Sequence, residues 1–286
     1  QLYASAGNFP AASQAFRELL DARRIDLNSY LFFVANAAER AGQTDTAVSM
    51  LGKVSKDSTR YLQAQEQLAL LAFRRGAYDS AQTRFAALRQ DFPDDAQVLD
   101  TYLIETAQLQ QAKQWKRLET LLQEALVRYP DQVDLLYVLA EYHAARGQIE
   151  DAAAQFAKIL AIDPANIDAL NAYGYLLLTQ TDDAEKAAQL IEEAIKLYPD
   201  SPAIQDSYGL LLFRQGKTEE ALSWLRRAYA AYRSNEISAH YIEVLYATGE
   251  KALAQEVYRY ERQGQPDNTP LKEIGKKLKL NDDKKK

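Results

Sequence analysis

The sequence predicts an all-α protein in which helical hairpins recur about every 34 residues and stack into an α-solenoid. Three observations support this fold class. Strong helix formers dominate the 286 residues, whereas only 11 Gly and 8 Pro are present. A small residue followed four positions later by a bulky apolar residue recurs at a nearly constant interval. Glycines and prolines occur in phase with that pair.

The recurring pair marks the second helix of each predicted hairpin, called helix B. One helical turn separates the two members, so both lie on the same helix face. The small residue lets helix B approach the preceding helix A, and the bulky residue fills the space between them. The small residues lie 33 to 35 residues apart, except for one interval of 71 residues in which Leu118 replaces an Ala. The pairs are Ala12/Phe16, Ala47/Leu51, Ala81/Phe85, Leu118/Leu122, Ala152/Phe156, Ala187/Ile191, Ala221/Leu225 and Ala254/Tyr258.

Glycines and prolines mark the ends of the two helices. Glycine ends helix A, because a helix C-terminus often needs a left-handed residue, which glycine adopts without a Cβ clash. Proline ends helix B, because it cannot continue the hydrogen-bond ladder. Asp200 or Ser201, the two residues after Pro199, is predicted to supply the N-cap of the next helix A. The glycines are Gly7, Gly42, Gly76, Gly147, Gly216 and Gly249, and the prolines are Pro93, Pro130, Pro164 and Pro199.

This pattern resembles the tetratricopeptide repeat, whose signature combines an aromatic residue, Leu-Gly and Tyr in helix A with Ala-x3-Phe and Pro in helix B. One copy carries Leu136, Ala140, Gly147, Ala152, Phe156 and Pro164. The resemblance implies a right-handed α-solenoid of about seven repeats, a half repeat at the start and a C-terminal capping helix. The implied copies are residues 1–26 (partial), 27–60, 61–95, 96–132, 133–166, 167–201, 202–234 and 235–264, followed by the capping helix and a basic tail at 265–286.

Two regions depart from the regular pattern. The copy at 96–132 lacks its glycine and has about three extra residues, so we expect a lengthened helix or turn over residues 108–116. After the last copy, Asn268 and Pro270 are predicted to begin a helix, in which Leu271 and Ile274 start an apolar stripe. Such a helix would cover the open end of the array.

Few side chains could perform catalysis. The chain has no Cys and only two histidines, His143 and His240, which belong to different copies. It contains no phosphate-binding glycine loop and no H-E-x-x-H metal sequence. We therefore expect a protein that is not an enzyme and has no cofactor or metal. The net charge of −6 argues against nucleic acid as a partner, and no apolar run is long enough to span a membrane.

The resemblance also implies where other proteins bind. The A helices line the concave face of such repeats, and ligands contact the helix A positions that point away from helix B. Asn171 has Asp and Tyr neighbours in place of the lysines that would clamp a C-terminal carboxylate, so we expect an extended or partly unfolded polypeptide instead. The implied partner-binding residues are Glu66, Phe73, Arg74, Asp134, Tyr137, Glu141, Asp168, Asn171, Tyr175, Asp206, Phe213, Arg214, Glu243 and Tyr246.

A narrower resemblance involves the last copies. Residues 170–175, 206–210, 221–229 and 239–245 are similar to the C-terminal half of large tetratricopeptide proteins of Gram-negative bacteria. Many of those proteins are outer-membrane lipoproteins that face the periplasm. One branch acts as an adaptor for a carboxyl-terminal processing protease and its cell-wall-hydrolase substrates. The resemblance implies a non-catalytic adaptor of this kind here, periplasmic and associated with the outer membrane.

The first residue, Gln1, lies inside a predicted helix, so we expect this chain to be the C-terminal part of a longer protein, with any lipid anchor upstream. Two alternatives remain open. One is a cytoplasmic chaperone-like or assembly module that binds polypeptide segments. The other is a regulatory repeat region of a larger enzyme.

Overall fold

A computed structural model describes residues 8–264 and 269–280 of the chain, and within these ranges it contains helices and no strand. This confirms the prediction of an all-α solenoid. The described helices are α1 (Phe9–Asp21), α2 (Leu27–Arg40), α3 (Thr44–Leu51), α4 (Tyr61–Arg74), α5 (Tyr78–Asp91), α6 (Asp95–Gln111), α7 (Trp115–Arg128), α8 (Val133–Ala145), α9 (Ile149–Ile162), α10 (Ile167–Gln180), α11 (Ala184–Leu197), α12 (Pro202–Arg214), α13 (Thr218–Ala231), α14 (Asn235–Ala247), α15 (Lys251–Gly264) and α16 (Thr269–Leu278).

From α2 to α15 the helices alternate as A and B members of hairpins, with α1 as a single B helix before them. The A-to-B turns contain the predicted glycines in the left-handed region. Gly147, for example, has φ 72° between α8 and α9. Two of the turns lack a glycine. The α10–α11 turn has no residue with a positive φ among the described residues, whereas in the copy at 96–132 Lys113 takes this conformation with φ 54°, five residues before Leu118. The turn geometry therefore persists there, and the extra residues lengthen α6 to 17 residues.

Small residues allow the two helices of a hairpin to approach closely. The first member of each recurring pair is buried in every hairpin, and so is the bulky member four positions later. Helix A contributes to the same contact through Gly174 in α10 and Gly209 in α12. A Cβ on Gly174 would lie 2.6 Å from Cγ1 of Ile191, and one on Gly209 would lie 2.7 Å from Cγ of Leu225. A methyl group would not fit at either position without movement of helix B.

The chain divides into two compact units at Pro130 and Asp131. Unit 1 contains α1 to α7 and unit 2 contains α8 to α16. In unit 2 the last helix, α16, packs Leu271 and Ile274 into a core that includes Ile242 of α14. Gly275 of α16 faces the ring of Tyr258. The predicted cap over residues 269–278 is therefore present.

The prediction that the Ser201 side chain caps the next helix A was wrong. Ser201 stands at the N-cap of α12, but its side chain makes no capping hydrogen bond. The start of α12 is held instead by Gln205, whose Nε2 donates to the carbonyl of Pro199 at 2.7 Å. Four sequence predictions lie outside the described residues, namely the helix around Gln1, Gly7 as a helix end, Asn268 as a cap and the basic tail beyond residue 280.

Candidate functional site

The A helices of unit 2 present a row of side chains that we call the A-face. It contains both acidic and aromatic residues, with few cations among them. The A-face comprises Asp134, Tyr137, Glu141, Asp168, Asn171, Tyr175, Asp206, Phe213, Arg214, Glu236, His240, Glu243 and Tyr246. The repeat positions predict all of these residues except Glu236 and His240.

Tyr137 forms the first part of the A-face, on α8. Its ring meets the ring of Phe156 on α9 edge to face, with centroids 5.7 Å apart and planes at 70°. Burial raises the pKa of the Tyr137 hydroxyl to about 12, and the negative charges of Glu141 and Asp168 add to this effect. The carboxylates of α8 and α10 are thus near the same phenol. Tyr137 is half-buried, whereas Glu141 and Asp168 are exposed.

Asn171 lies one turn after Asp168 on α10. Its side chain is partly buried, and its Oδ1 atom is buried with no hydrogen-bond partner within the described residues. A buried acceptor without a donor is unfavourable by about 1–3 kcal/mol. Native structures seldom keep such an atom unless a ligand, a water molecule or a partner supplies the donor. Asn171 is therefore the side chain of the A-face that most clearly lacks an intramolecular role.

Tyr175, Asp206 and His240 connect three successive A helices. The Nδ1 atom of His240 lies 2.9 Å from Oδ2 of Asp206, and the His240 ring is 6.0 Å from that of Tyr175. Burial raises the pKa of Tyr175 to about 12, with further contributions from Asp206 and Glu236 and an opposing one from Arg214. At this part of the A-face, the chain itself supplies a cation, Arg214, close to the carboxylates.

The C-terminal part of the A-face is closed by the capping helix. Nζ of Lys277, on α16, lies 2.6 Å from Oε1 of Glu243 on α14. Phe213 and Tyr246 pack against the core beneath them and are only partly accessible. These three A-face residues therefore contribute to the stability of unit 2, and a partner would reach mainly their outer edges.

The three predicted binding residues of unit 1 have different surroundings. The prediction that Phe73 points away from helix B was wrong, because it is 6% exposed and packs against Phe85 of α5. Arg74 forms an ion pair with Glu39 of α2. Glu66 is half-buried, and burial followed by the charge of Asp100 raises the pKa of its carboxyl group. The structure therefore places Phe73 in the core and Arg74 in an ion pair.

Unit 1 also contains a buried ion pair that the sequence did not reveal. Nη1 of Arg89 lies 2.8 Å from Oε2 of Glu105, and the two side chains are 9% and 0% exposed. The Arg89 guanidinium stacks on the ring of Tyr102 at 4.1 Å, and the Tyr102 hydroxyl donates to Glu124 at 2.6 Å. Glu105 is at a helix A position where the other copies have apolar residues. The pair therefore replaces apolar packing in the irregular copy.

The described residues contain no group of three or more His, Asp or Glu side chains arranged to hold a metal ion. No helix within residues 8–264 and 269–280 is both long and apolar enough to cross a membrane. His143 is half-buried, and its Nδ1 atom lies 3.1 Å from Oε1 of Gln148.

Stacked hairpins with a partly exposed A-face define an α-solenoid of the class that binds other proteins. Residues 38–101, 118–167 and 174–236 match the tetratricopeptide repeat family. These ranges make up more than half of the chain, which therefore belongs to this family. Tetratricopeptide repeat proteins generally serve as scaffolds that bind other proteins or peptides.

Known proteins similar to this chain agree with that assignment. The TPR repeat-containing protein PA4667 of Pseudomonas aeruginosa is 33% identical over 209 residues, which are 73% of this chain and 35% of that protein. The chain thus spans about a third of the length of this relative.

Solved structures resemble the chain in fold. TTC0263, a TPR protein of Thermus thermophilus, has a TM-score of 0.55 at 21% identity, over 64% of this chain and 100% of its own. The pilF protein of Pseudomonas aeruginosa has a TM-score of 0.57 at 14% identity, over 76% and 97%. PilW, a widely conserved type IV pilus biogenesis factor, has a TM-score of 0.57 at 16% identity, over 76% and 99%.

Sequence reasoning missed His240 because it considered this residue only as a catalytic candidate, and it assigned no binding role to Glu236. A signal was available. His240 and Asp206 are 34 residues apart, one repeat period, so they occupy equivalent positions on adjacent A helices. The buried pair of Arg89 and Glu105 had no comparable signal, since its residues come from a B helix and the next A helix at no fixed spacing.

Proposed function

We propose that this chain is a non-catalytic scaffold that holds an extended polypeptide segment of another protein along the A-face of unit 2. The observation that carries the proposal is the unpaired Oδ1 atom of Asn171. An extended segment has backbone N–H groups that are free to donate. Because Oδ1 is buried in the unbound chain, such a group would reach it when the Asn171 amide turns toward the surface. The tyrosines on either side of Asn171, Tyr137 and Tyr175, would supply apolar contact area at little cost in conformational entropy.

The proposal extends to a role in the envelope of a Gram-negative bacterium. There the scaffold acts as an adaptor between a carboxyl-terminal processing protease and its cell-wall-hydrolase substrates. Two observations support this role. The segments at 170–175, 206–210, 221–229 and 239–245 are similar to large tetratricopeptide proteins of Gram-negative bacteria, one branch of which has that function. The 33% identity to a Pseudomonas aeruginosa protein is consistent with a Gram-negative source.

Replacing Asn171 with Leu tests the polypeptide-binding role. We expect this variant to be more stable by about 1 kcal/mol, because it removes a buried acceptor that has no donor. Its partner binding should fall at the same time. Thermal unfolding and retention of partners on immobilised chain measure the two effects. Weaker binding together with lower stability would indicate a structural role for Asn171 and would contradict the proposal.

The envelope role requires a separate experiment. The immobilised chain is incubated with an envelope extract and, in parallel, with a cytosolic extract of a Gram-negative bacterium, and the bound proteins are identified by mass spectrometry. The adaptor role requires selective recovery of a processing protease or cell-wall hydrolases. Their recovery should be lost with the Glu141→Lys/Asp168→Lys variant and kept with a variant that reverses Asp151 and Glu192, two exposed acids on B helices. Recovery of cytosolic proteins alone would contradict the envelope role and favour a cytoplasmic assembly module.

A further inference from the structure

Unit 1 contains a cavity of about 580 Å³ beside the turn between α1 and α2. This volume is within the range of about 300–1,000 Å³ that is typical of ligand sites. The lining combines arginines with apolar residues, and none of them belongs to the A-face of unit 2. The arginines are Arg23, Arg24 and Arg60, and the apolar residues are Leu20, Ile25 and Phe33.

The backbone of the turn fixes the positions of Arg23 and Arg24. Arg23 has φ 54°, and its N–H group donates to the carbonyl of Leu20 at 2.9 Å. The N–H group of Arg24 donates to the carbonyl of Leu19, also at 2.9 Å. Both side chains are exposed, and neither forms an ion pair with any residue that the structure describes. Their charges are therefore available to a ligand.

Arg60, at the N-cap of α4, is held more firmly. Its guanidinium lies over the rings of Phe33 at 5.4 Å and Phe32 at 5.5 Å. Its Nη1 atom donates to Oε1 of Gln63 at 3.0 Å, and the side chain is half-buried. The planar guanidinium has further N–H donors, which remain for a ligand. Because the side chain is already ordered, little conformational entropy is lost when it binds an anion.

Asp26 is the one acid among the described lining residues. Its Oδ1 atom accepts from the backbone N–H of Ser29 and its Oδ2 atom from the Ser29 hydroxyl, both at 2.9 Å. These hydrogen bonds lower the pKa of the Asp26 carboxyl group, so it is ionised at neutral pH. Three arginines and one aspartate give the lining a net charge of +2, whereas the whole chain has a net charge of −6. The cavity therefore differs in sign from the chain around it.

We infer that this cavity binds an acidic segment of a polypeptide, with two carboxylates on the arginines and an apolar side chain against the apolar lining. Arginine forks match carboxylates in geometry, and two carboxylates balance a charge of +2. The apolar residues favour an amino-acid side chain over inorganic phosphate, and the negative chain repels a long polyanion such as nucleic acid. The inference goes beyond the proposed function, because it adds a second binding site in unit 1.

Three labelled peptides test the inference on the full 286-residue chain. In the first, two glutamates flank a leucine. In the second, glutamines replace the glutamates, and in the third, serine replaces the leucine. Fluorescence anisotropy gives the dissociation constants at low and high salt. We expect the glutamate peptide to bind about tenfold more tightly than the glutamine peptide, with a difference that shrinks as salt screens the charges. The serine peptide should bind about threefold more weakly than the leucine peptide.

Variants then locate the peptide in the cavity. Arg23→Gln/Arg24→Gln should weaken binding of the glutamate peptide about tenfold. The control Arg40→Gln/Lys116→Gln removes the same charge from exposed positions of unit 1 outside the cavity and should bind like the parent. Arg60→Lys keeps the charge but loses the planar fork, so it should weaken binding about threefold.

Asp26→Asn should strengthen binding. Asparagine is as good an N-cap as aspartate, and its side-chain oxygen can still accept from the N–H of Ser29. The change removes the negative charge of the lining, so we expect the glutamate peptide to bind about threefold more tightly. A damaged fold would weaken binding, so a gain has no such explanation. Unchanged or weaker binding would contradict the inference.

Three other results would also overturn the inference. Equal binding of the glutamine and glutamate peptides would mean that carboxylates are not recognised. An equal loss of affinity in the Arg40→Gln/Lys116→Gln control would mean that only net charge matters. Displacement of the peptide by inorganic phosphate at an equal concentration would mean that the cavity does not select a polypeptide. Asn171→Leu should leave binding of the glutamate peptide unchanged, so this inference and the proposed function can fail separately.

Discussion

The Nδ1 atom of His240 lies 2.9 Å from Oδ2 of Asp206, and both side chains are largely removed from solvent. The two residues occupy equivalent positions on α12 and α14, so the contact joins adjacent repeats. Burial by itself lowers the pKa of His240, but the hydrogen bond and charge of Asp206, with smaller effects from Glu243 and Glu236, raise it overall. Protonated His240 therefore stabilises the folded chain.

This contact predicts a pH dependence of stability. Because the pKa of His240 is higher in the folded chain, its contribution is fully present below the ordinary value of 6.5 and is lost as pH rises through the folded pKa. We expect the free energy of unfolding, measured by urea denaturation, to fall over that range. His240→Gln should remove most of this fall. An unchanged pH dependence in the variant would show that another group is responsible.

The close approach of α10 and α11 predicts that Gly174→Ala is destabilising. Alanine is favoured over glycine inside a helix by about 1 kcal/mol, but its Cβ would meet Ile191 at 2.6 Å. We expect a net loss of about 1–2 kcal/mol in the free energy of unfolding, since overpacking outweighs the gain in helix propensity. Gln180→Ala, an exposed change on the same helix, is the control and should have little effect. A more stable Gly174→Ala would mean that helix B moves away easily.

The buried ion pair of unit 1 predicts strong non-additivity. Arg89→Met leaves the buried carboxylate of Glu105 without its cation and should cost about 3 kcal/mol. Arg89→Met/Glu105→Leu should recover most of that loss, because apolar residues suit this site in the other copies. Thermal and urea unfolding of the two single variants and the double variant complete the cycle. Additive losses would mean that the two side chains act independently.

The capping helix predicts a local loss of stability when its anchor is truncated. Leu271 is 1% exposed in the core of unit 2, so Leu271→Ala should cost about 2–4 kcal/mol. Hydrogen exchange should increase first in α14 and α15, which α16 covers. Lys276→Ala, an exposed change on the same helix, is the control and should leave exchange unchanged. Uniform faster exchange through all of unit 2 would indicate that the cap stabilises the unit as a whole.

Much of the fold could be predicted because each repeat places the same requirement on its sequence. Ala152 must be small, Phe156 must be large and Gly147 must adopt a positive φ, and these constraints recur at one interval. Because the pattern recurs in many copies, one copy that departs from it does not obscure the predicted fold. The irregular copy could be located for the same reason, since its missing glycine and its extra residues together stand out against the other copies.

The candidate site was less predictable. Repeat position identifies which residues belong to helix A, but it does not give the rotamer or the neighbours of each side chain. It therefore predicts Phe73 on the binding surface, although this ring packs against Phe85. It also assigns no contact to His240, which pairs with Asp206. Both outcomes depend on contacts between different helices.

The sequence by itself determined the repeat, the helix ends and the all-α solenoid, because backbone conformation and close helix packing restrict the residue types that are allowed. Tertiary structure alone decided which polar groups find partners. Glu105 is paired with Arg89 and Glu243 with Lys277, whereas Oδ1 of Asn171 has no donor within the described part of the chain. The reason is physical: a hydrogen bond or ion pair requires side chains from different helices to be placed to within a few tenths of an ångström, and the repeat pattern does not specify positions that closely.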